Sequence, residues 1–300
     1  MNRKLIAGGL VALLCLAEAL LAQDTPMDTT SDSASTIAYT FKIVNYPHDS
    51  YTQFLGINNV GEIVGYHGLN NGFTLKLPNS FTLEDFPGAV QTQVTAVNDL
   101  GQTAGFYTDR AGVQHGFLKL GANFKAVDYP GSIGNNQLVA LNSASQAIGF
   151  YSEASGPSIY YLYERGKFSL IRLPNEIKSS ATITGINNAG QVSGYYSDNA
   201  SSYHGFLLNE GQLKTLTFPG AGDTFAYGLN NIGQVVGYYD GYLVGHGFVW
   251  SEKTGFQTID VPAGQGVTMV NGINDKGVIV GGAGTCFYEP FSCNGFVGTL

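Results

Sequence analysis

The sequence predicts an all-β fold: a six-bladed β-propeller of four-stranded blades, with the N-terminal strand closing the last blade. Three observations carry this expectation. The stretch from Gly185-Ile186-Asn187-Asn188 to Gly194-Tyr195-Tyr196 returns six times, with its central Asn at Asn58, Asn98, Asn142, Asn187, Asn230 and Asn274, at intervals of 40 to 45 residues. A fixed period of this size marks a propeller or a solenoid. The chain holds 41 Gly, 18 Tyr and 18 Phe with only 12% charged residues, a composition of short strands, tight turns and packed rings. Finally, the repeats are offset: the chain ends on a third strand, and a spare fourth strand, Phe41 to Pro47, stands at its beginning. A β-solenoid is the structural alternative.

Taken in order, residues 1–22 read as a secretory leader. Arg3 and Lys4 precede an apolar run from Leu5 to Leu16, and small residues allow cleavage after Ala19 or Ala22. The run is short for a membrane span, so no membrane insertion is expected once the leader is removed. Cys15 follows Leu13-Leu14, where a lipoprotein signal wants a small residue, so lipid attachment is the lesser alternative. Residues 23–38 form a polar, acidic spacer with too few apolar side chains to offset the entropy of ordering. Residues 39–300 are one propeller domain.

Each repeat holds four strand-length pieces, A to D. Strand A ends in the Asn signature, as in Phe54-Leu55-Gly56-Ile57-Asn58. A tight turn follows, such as Asn188-Ala189-Gly190 or Asp275-Lys276-Gly277, in which Asn or Asp starts the turn and Gly supplies positive φ. The third repeat, Ser143-Ala144-Ser145, lacks that Gly. Strand B carries a Gly and then an aromatic doublet: Phe106-Tyr107, Phe150-Tyr151, Tyr195-Tyr196 and Tyr238-Tyr239. The Gly implies close approach of a neighbouring backbone or ring. Strand C carries His115-Gly116-Phe117, His204-Gly205-Phe206 and His246-Gly247-Phe248, with Asn71, Ile159 and Asn294 replacing the His elsewhere. Strand D ends at a proline, which has no N–H for a ladder: Pro87, Pro130, Pro174, Pro219 and Pro262. The copy ending at Pro47 completes the sixth blade and removes the open edges of the stack.

The Gly-Ile-Asn-x-x-Gly-Gln-Val-x-Gly core, with a His-small-Phe triplet such as His204-Gly205-Phe206, resembles the HAF-type extracellular repeat family of exported bacterial proteins. The resemblance spans roughly residues 40 to 300. Three repeats lack the His, and the middle residue is Gly rather than Ala. The family implies a propeller-like exported protein and transfers no catalytic residue.

Several residues are candidates for chemistry. His115, His204 and His246 suggest a metal ring, but strand C lies far from the axis of a propeller, so a packing role is expected and no metal or other cofactor. The turns hold mostly Asn where calcium loops need several carboxylates, which favours hairpin chemistry. Asp85, Asp109, Asp128, Glu153, Asp198, Asp240 and Asp260 lie near strand ends; glycoside chemistry needs two carboxyl groups about 5 to 10 Å apart, and solvated loop acids are the plainer reading. Neither a nucleophile elbow nor a phosphate loop is present, and no catalytic residue is assigned.

The tyrosines Tyr107, Tyr151, Tyr196 and Tyr239 share one side of strand B and are the candidate ligand-binding residues, their flat faces suited to sugars or peptides. Core packing of both ring sets is the competing reading. Cys286 and Cys293, the two cysteines beyond the leader, are expected to form a disulfide in an exported chain.

With a formal charge of -8 and 14 Lys and Arg in all, nucleic acid is not an expected partner. The expectation is therefore a secreted, monomeric, non-enzymatic propeller that binds a glycan, small ligand or protein. A hydrolase or lyase with its site at the mouth of the central channel is the alternative, and a cell-surface adhesion module a third.

Overall fold

The computed structural model describes residues 38–300 except 69, 153–156, 241–244, 263–265 and 288–289. Residues 1–37, which take in the expected leader and nearly all of the expected spacer, and Glu153 lie outside the described residues. What is described is a ring of six antiparallel four-stranded sheets, each with the spatial order A-B-C-D. Blade 1 runs through Thr52–Ile57, Glu62–His67, Asn71–Lys76 and Ser80–Leu83, and blades 2 to 5 repeat the plan. Blade 6 takes strands A to C from Val267–Ile273, Ile279–Thr285 and Ser292–Thr299, and its D strand from Thr40–Ile43. The pairing Thr40↔Thr299 through Ile43↔Phe296 joins the two ends of the domain, as the offset of the repeats predicts.

The A strands surround the axis. Each carries a one-residue bulge just before a small residue, for example between Phe54 and Gly56 and between Val270 and Gly272. A bulge bends and twists its strand. The small residue then lets adjacent A strands meet: a Cβ on Gly272 would stand 3.1 Å from the Cα of Gly56 in the next blade. Alanine serves at Ala96 and Ala140.

The strand B glycine has a different cause. A Cβ on Gly237 would lie 1.9 Å from the Phe225 carbonyl oxygen of its own blade's A strand, and one on Gly65 2.0 Å from that of Gln53. The close approach expected from sequence is thus made by the paired backbone, with the strand C ring pressing beside it, as at Phe248 Cε1, 2.9 Å from the same Gly237 position. Those strand C rings, Phe73, Phe117, Phe206, Phe248 and Phe296, are fully buried between blades. At about 25 cal/mol per Å² of apolar surface, these interfaces supply the main stabilising term.

Candidate binding surface at the axial mouth

The six AB turns converge on one end of the axis, and their signature Asn residues form a closed belt there. Asn187 shows the unit. Its Oδ1 accepts the N–H groups of Ala189 at 3.1 Å and Gln191 at 3.0 Å, capping the turn, while its Nδ2 donates to Gln191 Oε1 at 2.7 Å and to the Asn230 carbonyl of the next blade at 3.1 Å. The same inter-blade bond runs Asn58 to Asn98, Asn98 to Asn142, Asn142 to Asn187, Asn230 to Asn274 and Asn274 back to Asn58. All six side chains are buried. A turn cap needs only an acceptor, which Asp also provides; the cross-blade bond needs an amide donor. That is why all six positions are Asn.

A second belt lies one residue further on. Asn59, Asp99, Ser143, Asn188, Asn231 and Asp275 each present a side-chain oxygen to the backbone N–H of the preceding blade's equivalent residue, at 2.7 to 3.2 Å, and this circuit also closes. Here any acceptor suffices, and Asn, Asp and Ser all occur. Asn59 Nδ2 further donates to Asp99 Oδ2 at 3.0 Å and Asp275 Oδ2 at 2.8 Å. The two carboxylates at the mouth are therefore held by amide donors. The Gly closing each turn has positive φ, as at Gly190 (φ 79), and in the third blade Ser145 adopts φ 60 instead.

The belts floor a polar pocket of about 70 Å³ lined by three residues from each blade. Its scale is that of a few waters, well below the roughly 300 to 1,000 Å³ of a drug-sized ligand site. Around it stand the turn tips: Val60, Leu100 and Ile232 are 67%, 62% and 66% exposed, with Ala144, Ala189 and Lys276 at the equivalent positions. A solvated tip has no structural need of Val, Leu or Ile. The result is an apolar crown around a polar floor.

The tyrosines singled out in the sequence sit elsewhere, each at a separate blade boundary. Tyr107 is sandwiched: Phe86 stacks on one side at 3.7 Å and 5°, and His115 on strand C packs at 5.1 Å. Tyr239 repeats this with Phe218 at 3.6 Å and His246 at 5.4 Å. Tyr151 stacks on Tyr129 at 4.8 Å, and Tyr196, like Leu173, packs on the buried cluster that contains Phe206, with His204 at 5.5 Å. Their faces are largely occupied by protein. In blade 6 the equivalent positions hold the smaller Val261 and Ala283, which share one buried cluster.

The histidines pair with strand-end acids. His115 Nδ1 meets Asp128 Oδ2 at 2.7 Å and His246 Nδ1 meets Asp260 Oδ1 at 2.8 Å; His204 reaches Thr217 at 3.0 Å and Asp198 at 3.1 Å. Asp128 and Asp85 also accept the backbone N–H of Gly116 and Gly72. The His204 contact holds the Asp198 carboxyl below its usual range, and backbone donors, led by Val113, do the same for Asp109. Burial raises Asp85 and Asp223, the latter further pushed up by Asp240. Among the described residues, no three His, Cys, Asp or Glu side chains group as a metal site.

At the far end of the axis, Tyr51, Tyr66, Tyr195, Phe225 and Tyr238 form a buried aromatic cluster with Met269. Cys286 and Cys293 are bonded, with Cα atoms 4.6 Å apart, and their loop leans on this cluster: Tyr51 donates to the Cys286 carbonyl at 3.3 Å, and Phe287 lies 6.0 Å from Tyr238. The disulfide thus closes a hairpin and also ties blade 6 to blades 1 and 5.

No protein-family model matches the chain, and no curated protein matches it in sequence. Solved structures do match in shape. Virginiamycin B lyase from Staphylococcus aureus aligns with 88% of this chain and 100% of its own at 10% identity and TM-score 0.51. Aleuria aurantia lectin, solved in complex with Fucalpha1-6GlcNAc, aligns over 82% and 92% at 12% identity and TM-score 0.51. A gluconolactonase from Xanthomonas campestris aligns over 83% and 88% at 9% identity and TM-score 0.52. These likenesses establish the fold: the chain is a six-bladed β-propeller.

Proposed function

We propose that the protein is an exported, non-catalytic docking propeller that engages its partner through the axial mouth built by the AB turns. The observation that carries this reading is the crown of Val60, Leu100 and Ile232, exposed apolar side chains grouped where turn chemistry asks for none. The shape neighbours include a lectin and a lyase, and at such low identity they favour neither activity. The Gly-Ile-Asn cores and His-Gly-Phe triplets support placing the chain with HAF-type extracellular repeats, and with them its export.

The test compares the full chain with a V60S/L100S/I232S variant on glycan, peptide and lipid arrays, with Tyr239→Ala as a control away from the mouth. Saturable binding lost in the crown variant and kept in Tyr239→Ala is the expected result. Binding lost only in Tyr239→Ala moves the site to the blade boundaries and sinks the mouth reading.

One observation favours an enzyme instead: Asp99 and Asp275 share the mouth on either side of Asn59. A panel of chromogenic glycosides and esters decides it. Turnover abolished by Asp99→Asn or Asp275→Asn replaces the docking reading with a hydrolase.

A further inference from the structure

Resting on that docking reading, we infer that the partner at this end is an anionic lipid surface, against which the propeller lies with its axis upright.

Three independent features share the end where strands A and C finish and B and D begin. The first is apolar. Beyond the crown, Leu77 and Leu120 at CD turns are 43% and 57% exposed, and the terminal Leu300 is 66% exposed. These side chains extend the apolar surface from the mouth toward the rim, as a shallow bilayer contact requires; Val90, Ile133 and Leu170 are exposed at the opposite end too, but there they stand among the acids.

The second is charge. Arg165 and Lys253 in CD turns, Lys167 at the start of a D strand and Lys276 at a crown position are exposed, with no ion pair among the described residues. The opposite end carries most of the acids, among them Asp109, Asp128, Asp198, Asp223, Asp240 and Asp260, which follow B or D strands or lie in the loops beyond them; at the crown end Glu62 and Glu252 are paired with Lys76 and Lys214, and Glu210 is exposed in a CD turn. Arg110, Arg172 and Lys178 at the opposite end are outnumbered by its acids, whereas cations and acids balance at the crown end, so of the two ends the crown end is the one that anionic headgroups repel least and its exposed lysines can engage. Asp99 and Asp275 do not oppose this, since both are half-buried on the mouth floor beneath the tips and bonded to Asn59.

The third is the entry of the chain. Thr40 pairs with Thr299, and Tyr39 donates its hydroxyl to the carbonyl of Gly277 in the blade 6 AB turn at 3.2 Å. The polypeptide therefore joins the ring at the same end as the crown, and any tether on its N-terminal side pulls that end, and not the acidic one, toward a membrane.

The experiment is co-sedimentation of the full chain with vesicles of phosphatidylcholine alone or mixed with phosphatidylglycerol. The partners are V60S/L100S/I232S, K253E/K276E and, as a control at the acidic end, V90S/I133S; thermal melts confirm that each variant is folded. Every variant keeps the same N-terminal segment, so differences report the propeller. The expected result is binding to the anionic vesicles that falls with salt, drops about tenfold or more in the first two variants and is unchanged in the control. Equal binding by wild type and crown variant overturns the inference, as does equal binding to neutral and anionic vesicles. If no vesicle binding occurs while the crown variant still loses a glycan or peptide ligand on the arrays, the lipid assignment falls and the docking reading stands. If no binding of any kind depends on the crown, both fall.

Discussion

Asn274 donates its side-chain Nδ2 to the backbone carbonyl of Asn58 at 3.0 Å, a bond between residues 216 positions apart. It completes the inner belt, just as the pairing of Thr40–Ile43 with Ser292–Thr299 completes the rim. The ring is closed twice, at hub and edge, by different chemistry. Long-range closure of this kind removes open edges and makes every blade depend on two neighbours.

Because each belt Asn caps its turn and bonds the next blade, Asn187→Ala takes the partner from the buried Asn230 carbonyl and from the part-buried N–H groups of Ala189 and Gln191. A loss of about 2 to 4 kcal/mol is expected. Asn187→Asp keeps the cap acceptor but cannot donate to the Asn230 carbonyl, so it also lowers the melting temperature. A melt of Asn187→Asp superimposable on wild type would show that the inter-blade bond contributes nothing.

Glycine positions separate sharply by what surrounds them. Gly237→Ala places a methyl 1.9 Å from a paired carbonyl and is expected to cost more than about 4 kcal/mol, read as insoluble or unfolded protein. Gly222→Ala meets nothing within 4 Å and is expected to be neutral or slightly stabilising through the unfolded state. Equal expression and melting of the two would contradict the steric account.

Reduction of Cys286–Cys293, or the paired Cys→Ser variant, opens a loop with a sequence separation of 7. Chain entropy puts the loss at about 2.5 kcal/mol. Since the loop also rests on Tyr51 and Tyr238, hydrogen exchange is expected to rise at blades 1 and 5 as well as 6. Protection unchanged outside blade 6 would confine the disulfide to its own hairpin.

Two acids at the loop end have opposite pH signatures. Asp223 is raised by burial and by Asp240, so its favourable contribution is present below its unfolded pKa and lost as pH rises through the folded value. Asp223→Asn still accepts from the Tyr203 N–H and is expected to raise the neutral-pH melting temperature by about 1 °C, a gain that fades below about pH 4. Asp198 is lowered by His204, so its contribution is present above the unfolded pKa and lost on acidification; Asp198→Asn is expected to destabilise at neutral pH. Melts across a pH series check both signs, and identical shifts for the two variants would refute the assignment.

Much of the fold was legible because its determinants are local and repeated. Gly190 and its equivalents mark turns, Pro87 and its equivalents end D strands, and the stray copy at Phe41 announces closure. The site was less so. Tyr107 invites a binding role by its type, yet its faces are taken by Phe86 and His115, residues 21 and 8 positions away whose approach no local pattern states. A signal for the belt was present all the same: six Asn out of six where Asp would serve a turn equally well.

By itself the sequence determined the blade count, strand order, point of closure and pairing of Cys286 with Cys293, since periodicity, turn chemistry and spacing are properties of the chain alone. Only the tertiary structure decided what meets around the axis. Closing the ring turns six ordinary hairpin caps into a circular belt and gathers Val60, Leu100 and Ile232, scattered over 173 positions, into one exposed crown. Such proximity follows from curvature summed over six blades, which no single repeat contains.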